Sequence, residues 1–247
     1  MKKSFLSATL ITLAASSASA QIAFESGDIT VGYSFNAEDG NASVVDLTAR
    51  GDYAIGQLGV QLDGFVGGAS GDSIPDVTMY SAGGHIYKQF SNGAKAGAYV
   101  SYDSISSTFS SVEVINYGVE GMMSFGNIDL EASFGWLDPT QQGQDSIMLL
   151  ALNAAYEISP SFEVFAGYET YFTETNADLD IYEIGAGYTL GNMPVTVNAS
   201  YAYITNQSGT DSGVIGVNVG YAFGGSSDEK LFSAHTYPLS AIVSVNP

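Results

Sequence analysis

The chain contains no cysteine. That excludes a small secreted domain held by disulfides, and it excludes thiol catalysis and zinc–thiolate sites. Bases are almost as scarce. Six Lys and Arg stand against 26 Asp and Glu, for a net charge of −20. Neutralising phosphates needs basic clusters, so no nucleic acid partner is expected. Beyond the N-terminus no segment has about 18 consecutive apolar residues, so no membrane-spanning helix is expected. A membrane crossed by strands stays open, because strands give a much weaker signal per segment. Charged residues make up only 13% of the chain, while Tyr and Phe number 16 and 13. So many aromatics argue against disorder.

Residues 1–20 read as a signal peptide. Lys2 and Lys3 form a positive head, Phe5 to Ala15 is an apolar stretch, and Ala18-Ser19-Ala20 is a small-residue cleavage site. The mature chain is expected to start at Gln21. A transmembrane anchor is the weaker reading, because the apolar run is too short. The short two-lysine head is of bacterial type, which sends the chain to the periplasm or beyond. The mature chain keeps Arg50, Lys88, Lys95 and Lys230 as its only bases, against all 26 acids. Its remaining length of about 227 residues fits one β-barrel domain, expected over 21–223.

What the chain does have is alternation. Ile128, Leu130, Ala132, Phe134 and Trp136 interleave with Asp129, Glu131, Ser133 and Gly135. A side-chain period of two makes a strand with one oily and one wet face. The pattern recurs over 28–36, 43–53, 57–66, 77–90, 94–103, 114–125, 128–136, 147–158, 162–172, 181–190, 195–203 and 214–223. Each span is near the 9–11 residues that a tilted strand needs to cross a bilayer. The oily faces carry almost no charge. Alternate junctions are tight: Ile55-Gly56, Ser91-Asn92-Gly93, Gly126-Asn127, Ser159-Pro160-Ser161 and Gly191-Asn192. The others, 37–42, 67–76, 104–111, 138–145, 173–178 and 205–211, are longer and polar. Short turns on one side and longer loops on the other are the habit of outer-membrane barrels.

Aromatics gather at the strand ends. Tyr53, Phe90, Phe125, Tyr156, Phe162, Tyr188, Tyr221 and Phe223 lie beside the short turns. Phe35, Tyr80, Tyr102, Tyr117, Trp136, Phe172, Tyr182 and Tyr203 lie beside the long loops. Two belts of amphipathic rings match two lipid interfaces. A soluble lipocalin-like barrel or sandwich would instead put aromatics in its core and charge on its outer faces. The expected fold is therefore all-β: an antiparallel, up-and-down transmembrane β-barrel of about twelve strands.

The signal peptide, the alternating strands and the final Tyr221-Ala222-Phe223 resemble Gram-negative outer-membrane β-barrels of the porin-like kind. The resemblance implies a place in the cell outer membrane, with lipid and small hydrophilic solutes or cations as partners; a homo-oligomer is left open. The sequence departs from that class in one respect, because 24 residues follow Phe223. The tail, 224–247, carries Asp228-Glu229 and an apolar run within 241–245. Three placements remain open for it: the periplasm, the lumen, or a further short strand.

Parity turns many acids inward, namely Asp46, Asp52, Asp63, Asp103, Glu120, Asp129, Glu131, Glu157, Glu163, Glu169 and Glu183. Arg50, Lys95, His85 and Tyr99 face the same way. Charge is not placed there unless water or partners solvate it. The expected pore lining is Arg50, Asp63, His85, Lys95, Tyr99, Glu120, Glu131, Glu169 and Glu183. Acids in such excess cannot all pair with bases, which favours a hydrated, cation-preferring channel. Inward glycines at 83, 97, 118 and 167 would leave room at mid-height. Arg50 and Lys95 would form a constriction with Asp63, Glu120, Glu131 and Glu169, or else bridge neighbouring strands. The alternative is a non-conducting structural or surface-interaction barrel.

An enzyme is not expected. No G-x-S-x-G exists, and neither His85 nor His235 is placed for a nucleophile–base pair. The glycines of 185–191 sit inside a strand rather than before a helix, so they are not a phosphate loop. Asp178, Asp180 and Glu183 lack the spacing of a calcium loop. No cofactor or metal is expected.

Overall fold

Strands that alternate apolar and polar side chains present two environments at once. In lipid they satisfy every backbone N–H and C=O only by closing into a ring. A computed structural model describes residues 22–38, 41–72, 76–141, 143–173, 178–191, 193–206, 211–224 and 230–235. Its strands are β1 (Ile22–Asn36), β2 (Ala42–Ile55), β3 (Leu58–Gly71), β4 (Val77–Gln89), β5 (Lys95–Ser107), β6 (Ser111–Phe125), β7 (Ile128–Pro139), β8 (Ile147–Ser159), β9 (Phe162–Phe172), β10 (Leu179–Thr189), β11 (Val195–Asn206) and β12 (Asp211–Gly224). Each pairs antiparallel with its neighbours in sequence, and β1 pairs with β12. The result is the expected all-β, up-and-down closed barrel of twelve strands. The expected signal segment, 1–20, lies outside the described residues, as do Asp228-Glu229 and 241–245.

The expected strand faces hold. Val31, Val45, Val119, Leu152, Ile184 and Val217 project outward and are exposed, while Asp52, Gln61, His85, Asn116 and Glu120 are buried inside. An apolar outside around a polar inside inverts a soluble protein and suits lipid. Both aromatic belts form on the outer surface. Tyr117 stacks on Trp136 at 5.9 Å, and Tyr168 meets Tyr182 at 5.0 Å. The short turns use glycine at positive φ, 84° at Gly93 and 61° at Gly126, a region costly for any residue with a Cβ.

Several strands run further than the alternation shows. β1 begins at Ile22 rather than at 28, because a bulge between Phe24 and Ser26 breaks the two-residue period there. Past the bulge Phe24 joins the short-turn belt, 5.5 Å from Tyr53 and 5.9 Å from Phe223. β3 continues through the glycine-rich 67–71, which lacks strand formers yet pairs with residues 42–46 of β2. β5 reaches Ser107 and β6 starts at Ser111, so the loop expected over 104–111 shrinks to 108–110.

These extensions carry inward apolar residues. Ala42, Val44, Ala69, Val77 and Met79 pack together with Phe65 and Ile105. Val114, Leu137, Leu149, Tyr171, Ile181, Ile204 and Val214 form a second cluster, with Ile147 against it. Both clusters lie toward the long loops. They account for the apolar inward start of β8, which has no explanation in a purely polar lumen.

The outward face gives a direct test. Ile184 is the central residue of β10 and 65% exposed. Ile184→Arg should lower the unfolding free energy in lipid vesicles by about 2–4 kcal/mol, read from guanidinium titration. Thr108→Arg, in an exposed loop, should change it by less than about 0.5 kcal/mol.

Candidate functional site

The inward residues of β2 to β7 meet a guest. Residues 230–235, Lys-Leu-Phe-Ser-Ala-His, lie inside the barrel against this wall. Phe232 is fully buried, stacked on His85 at 5.8 Å and edge-on to Tyr87 at 5.3 Å. Glycine makes the space for these rings. A Cβ at Gly59 would overlap the Tyr87 ring, and one at Gly118 would lie 2.8 Å from the Tyr99 hydroxyl. The aromatic side chains therefore lie flat along the wall.

Backbone groups of the guest are met one by one. The Phe232 carbonyl accepts from Arg50 Nη1 at 3.0 Å and from Gln61 Nε2 at 2.9 Å, and its N–H donates to Gln61 Oε1 at 2.9 Å. Ser233 donates through its N–H and its hydroxyl to the two Glu131 oxygens, at 2.9 and 3.0 Å. Lys95 Nζ donates to the Lys230 carbonyl at 2.9 Å, and Ser101 Oγ to the His235 carbonyl at 2.7 Å. The His235 ring stacks on Tyr99 at 3.7 Å.

Glu120 stands between two imidazoles, 2.8 Å from His85 Nδ1 and 2.9 Å from His235 Nε2. The far nitrogen of His85, Nε2, meets Asp63 Oδ2 at 2.5 Å. An imidazole flanked by carboxylates on both nitrogens donates to both only as the imidazolium. The Lys230 ammonium lies 3.4 Å from Asp129 and 3.6 Å from Glu163. Burial works against its charge, but those two carboxylates outweigh it and hold the ammonium above its ordinary pKa.

Among the described residues, the opposite wall is left open. A cavity of about 350 Å³ lies between the guest and the β7–β10 wall, with Asp129, Glu131, Asn153, Glu163, Glu169 and Glu183 facing Lys230 and Leu231. The interior is thus divided into a filled half and an acid-lined half.

The nine expected lining residues all face the interior, but they do not share one surface. Arg50, Asp63, His85, Lys95, Tyr99 and Glu120 belong to the filled half. Glu169 and Glu183 face the open half, and Glu131 borders both. Of the two roles expected for Arg50, a constriction or a bridge between neighbouring strands, it takes the bridge. Arg50 grips Asp28 on the adjacent strand, Nε to Oδ1 at 3.1 Å and Nη2 to Oδ2 at 2.5 Å, a two-pronged pair. Asp28 sits at the edge of the expected first strand and escapes the count of inward acids.

Bases are not the only partners of the inward acids. Neutral donors serve three of them: Tyr87 hydroxyl to Asp52 at 2.5 Å, Tyr171 hydroxyl to Glu169 at 2.9 Å, Gln61 to Asp63 at 2.8 Å. The inward glycines divide in the same way: Gly97 lies close against Tyr87 of the adjacent strand, while Gly167 borders the open cavity. Asp180 bonds to the outward Tyr168 while Glu183 points in, so those acids do not converge on one ion. One signal for the guest stood in the sequence: a lumenal surface rich in acids, and a tail carrying Lys230 and His235.

Phe232→Ala should free this segment. Removing a buried Phe costs about 3–5 kcal/mol in a well-packed site. Trypsin cleavage after Lys230, followed by the mass of the barrel, should then accelerate by roughly two orders of magnitude. Leu231→Ala, only half-buried, should have a much smaller effect.

No family model matches the chain, and no curated protein matches it in sequence. Solved structures do. The KdgM porin superposes with a TM-score of 0.60 at 11% identity, covering 79% of this chain and 99% of the porin. The same porin in complex with disordered oligogalacturonate gives 0.55 at 12%, covering 80% and 99%. An outer-membrane channel from Pseudomonas putida F1 gives 0.61 at 8%, covering 85% and 98%. At these identities the likeness is one of fold, and the fold is that of Gram-negative outer-membrane β-barrels.

Proposed function

We propose that this barrel is a passive channel of the outer membrane for small hydrophilic solutes, with a preference for cations. One observation carries the reading: the acid-lined cavity of about 350 Å³ left beside the lodged segment. Five carboxylates face one ammonium there, inside walls of low dielectric. Such a geometry concentrates negative potential and draws cations in. The exposed apolar band and its two aromatic belts support residence in a bilayer. The fold neighbours support transport rather than catalysis, because they include a porin and a channel. An oligogalacturonate is a chain of sugar acids. It suits the KdgM porin, with which it was solved; the acidic wall here favours the opposite charge.

A second reading has its own support. The segment 230–235 fills the β2–β7 side, and the apolar clusters lie across the long-loop end. Hydrophobic constrictions shed water and stop conduction. A non-conducting structural or surface-interaction barrel fits both.

Planar-bilayer recording under a salt gradient separates the two. The channel reading expects discrete openings and a reversal potential of cation-selective sign. Glu163→Gln, Glu169→Gln and Glu183→Gln together should move that potential toward zero. Silence in repeated reconstitutions supports the closed barrel, and an anion-selective sign overturns the role given to the acids.

A further inference from the structure

A passive conduit has no need for three metal-ligating side chains at one point, yet the lumen gathers them. His85 on β4, Glu120 on β6 and His235 on the lodged segment each offer one ligand atom, all within 4.8 Å of one another. An ion about 2.1 Å from each donor needs them roughly 3.4 Å apart, so a small closure completes the set. The surroundings match those of a bound ion. Asp63 accepts from the far nitrogen of His85, the carboxylate–histidine arrangement that orients a ligating ring. Tyr99 stacks on His235 and fixes its plane. A cavity of about 10 Å³ touches both histidines, with Asp63, Ser81 and Ser101 in its wall, and has room for about one water molecule.

We propose that His85, Glu120 and His235 bind a divalent transition ion, with water as the fourth ligand. Two imidazoles and a carboxylate, without thiolate, select the zinc–nickel–copper group over calcium or magnesium. Each ring ligates as the neutral imidazole. The Nδ1 proton of His85 leaves to solvent as the ion enters and its Nε2 proton stays toward Asp63, while His235 binds through Nε2 with its one remaining proton on Nδ1. Because one ligand belongs to the tail and two to the wall, the ion staples the tail in place.

Cobalt(II) reports on such a site by its visible absorption. Titrating the purified barrel, tail intact and in detergent at neutral pH, should give bands that saturate at one ion per chain and vanish when zinc(II) is added. His235→Gln leaves every strand untouched and should weaken cobalt binding by at least about tenfold, as should Glu120→Gln. Absence of saturable bands overturns the site, and so does binding that persists unchanged in either variant. The readout is independent of conductance, so its failure leaves the channel reading standing.

Discussion

Closure of the sheet is the constraint from which the rest follows. β1 and β12 are the ends of the strand run, yet they pair from Ser26↔Gly224 to Asn36↔Val214 without a break. In hydrocarbon an open edge would leave a row of unpaired N–H and C=O groups at several kcal/mol each. Once the ring is shut, every residue has only two directions to point. The outward set must tolerate lipid, and the inward set must find its partners within the enclosed space. The acids inside and the exposed valines and isoleucines outside are two results of that single closure.

The outer half of this arrangement is plain in the sequence because lipid imposes a period. Ile128 to Trp136 shows it without interruption, and the tight turns mark where the period restarts. The pattern fails where its cause is absent. Beyond Phe24 a bulge changes the phase, and from Gly67 to Gly71 small residues supply no contrast between faces. At the long-loop ends the inward residues are apolar as well, so alternation dissolves just where Leu137, Leu149 and Ile181 pack together.

The lumen is much less legible, for a different reason. The segment 230–235 has no period and no motif, and most of its polar contacts are made by its backbone. The carbonyls of Lys230, Phe232 and His235 and the N–H groups of Phe232 and Ser233 all bind wall side chains. Every residue carries those groups, so nothing in the sequence singles them out. The wall side of the same contacts, Arg50, Gln61, Lys95, Ser101 and Glu131, is visible as an inward polar face, but a polar face does not announce whether water or chain will cover it. Counting acids against bases misleads for the same reason. Tyrosine hydroxyls, glutamine amides and main-chain N–H groups are donors too, and they take up much of the carboxylate demand.

The lodged segment also couples the two ends of the chain. It follows β12 in the chain, yet its partners stand on β2 to β7, with Glu163 of β9 beside Lys230. No part of that surface is assembled by the strand it leaves. The docking groove exists only where the early strands are aligned. Burial of Phe232 therefore ties the end of the chain to the correct register of its beginning. A misregistered barrel would present Gln61 and Arg50 at the wrong height to meet the Phe232 backbone.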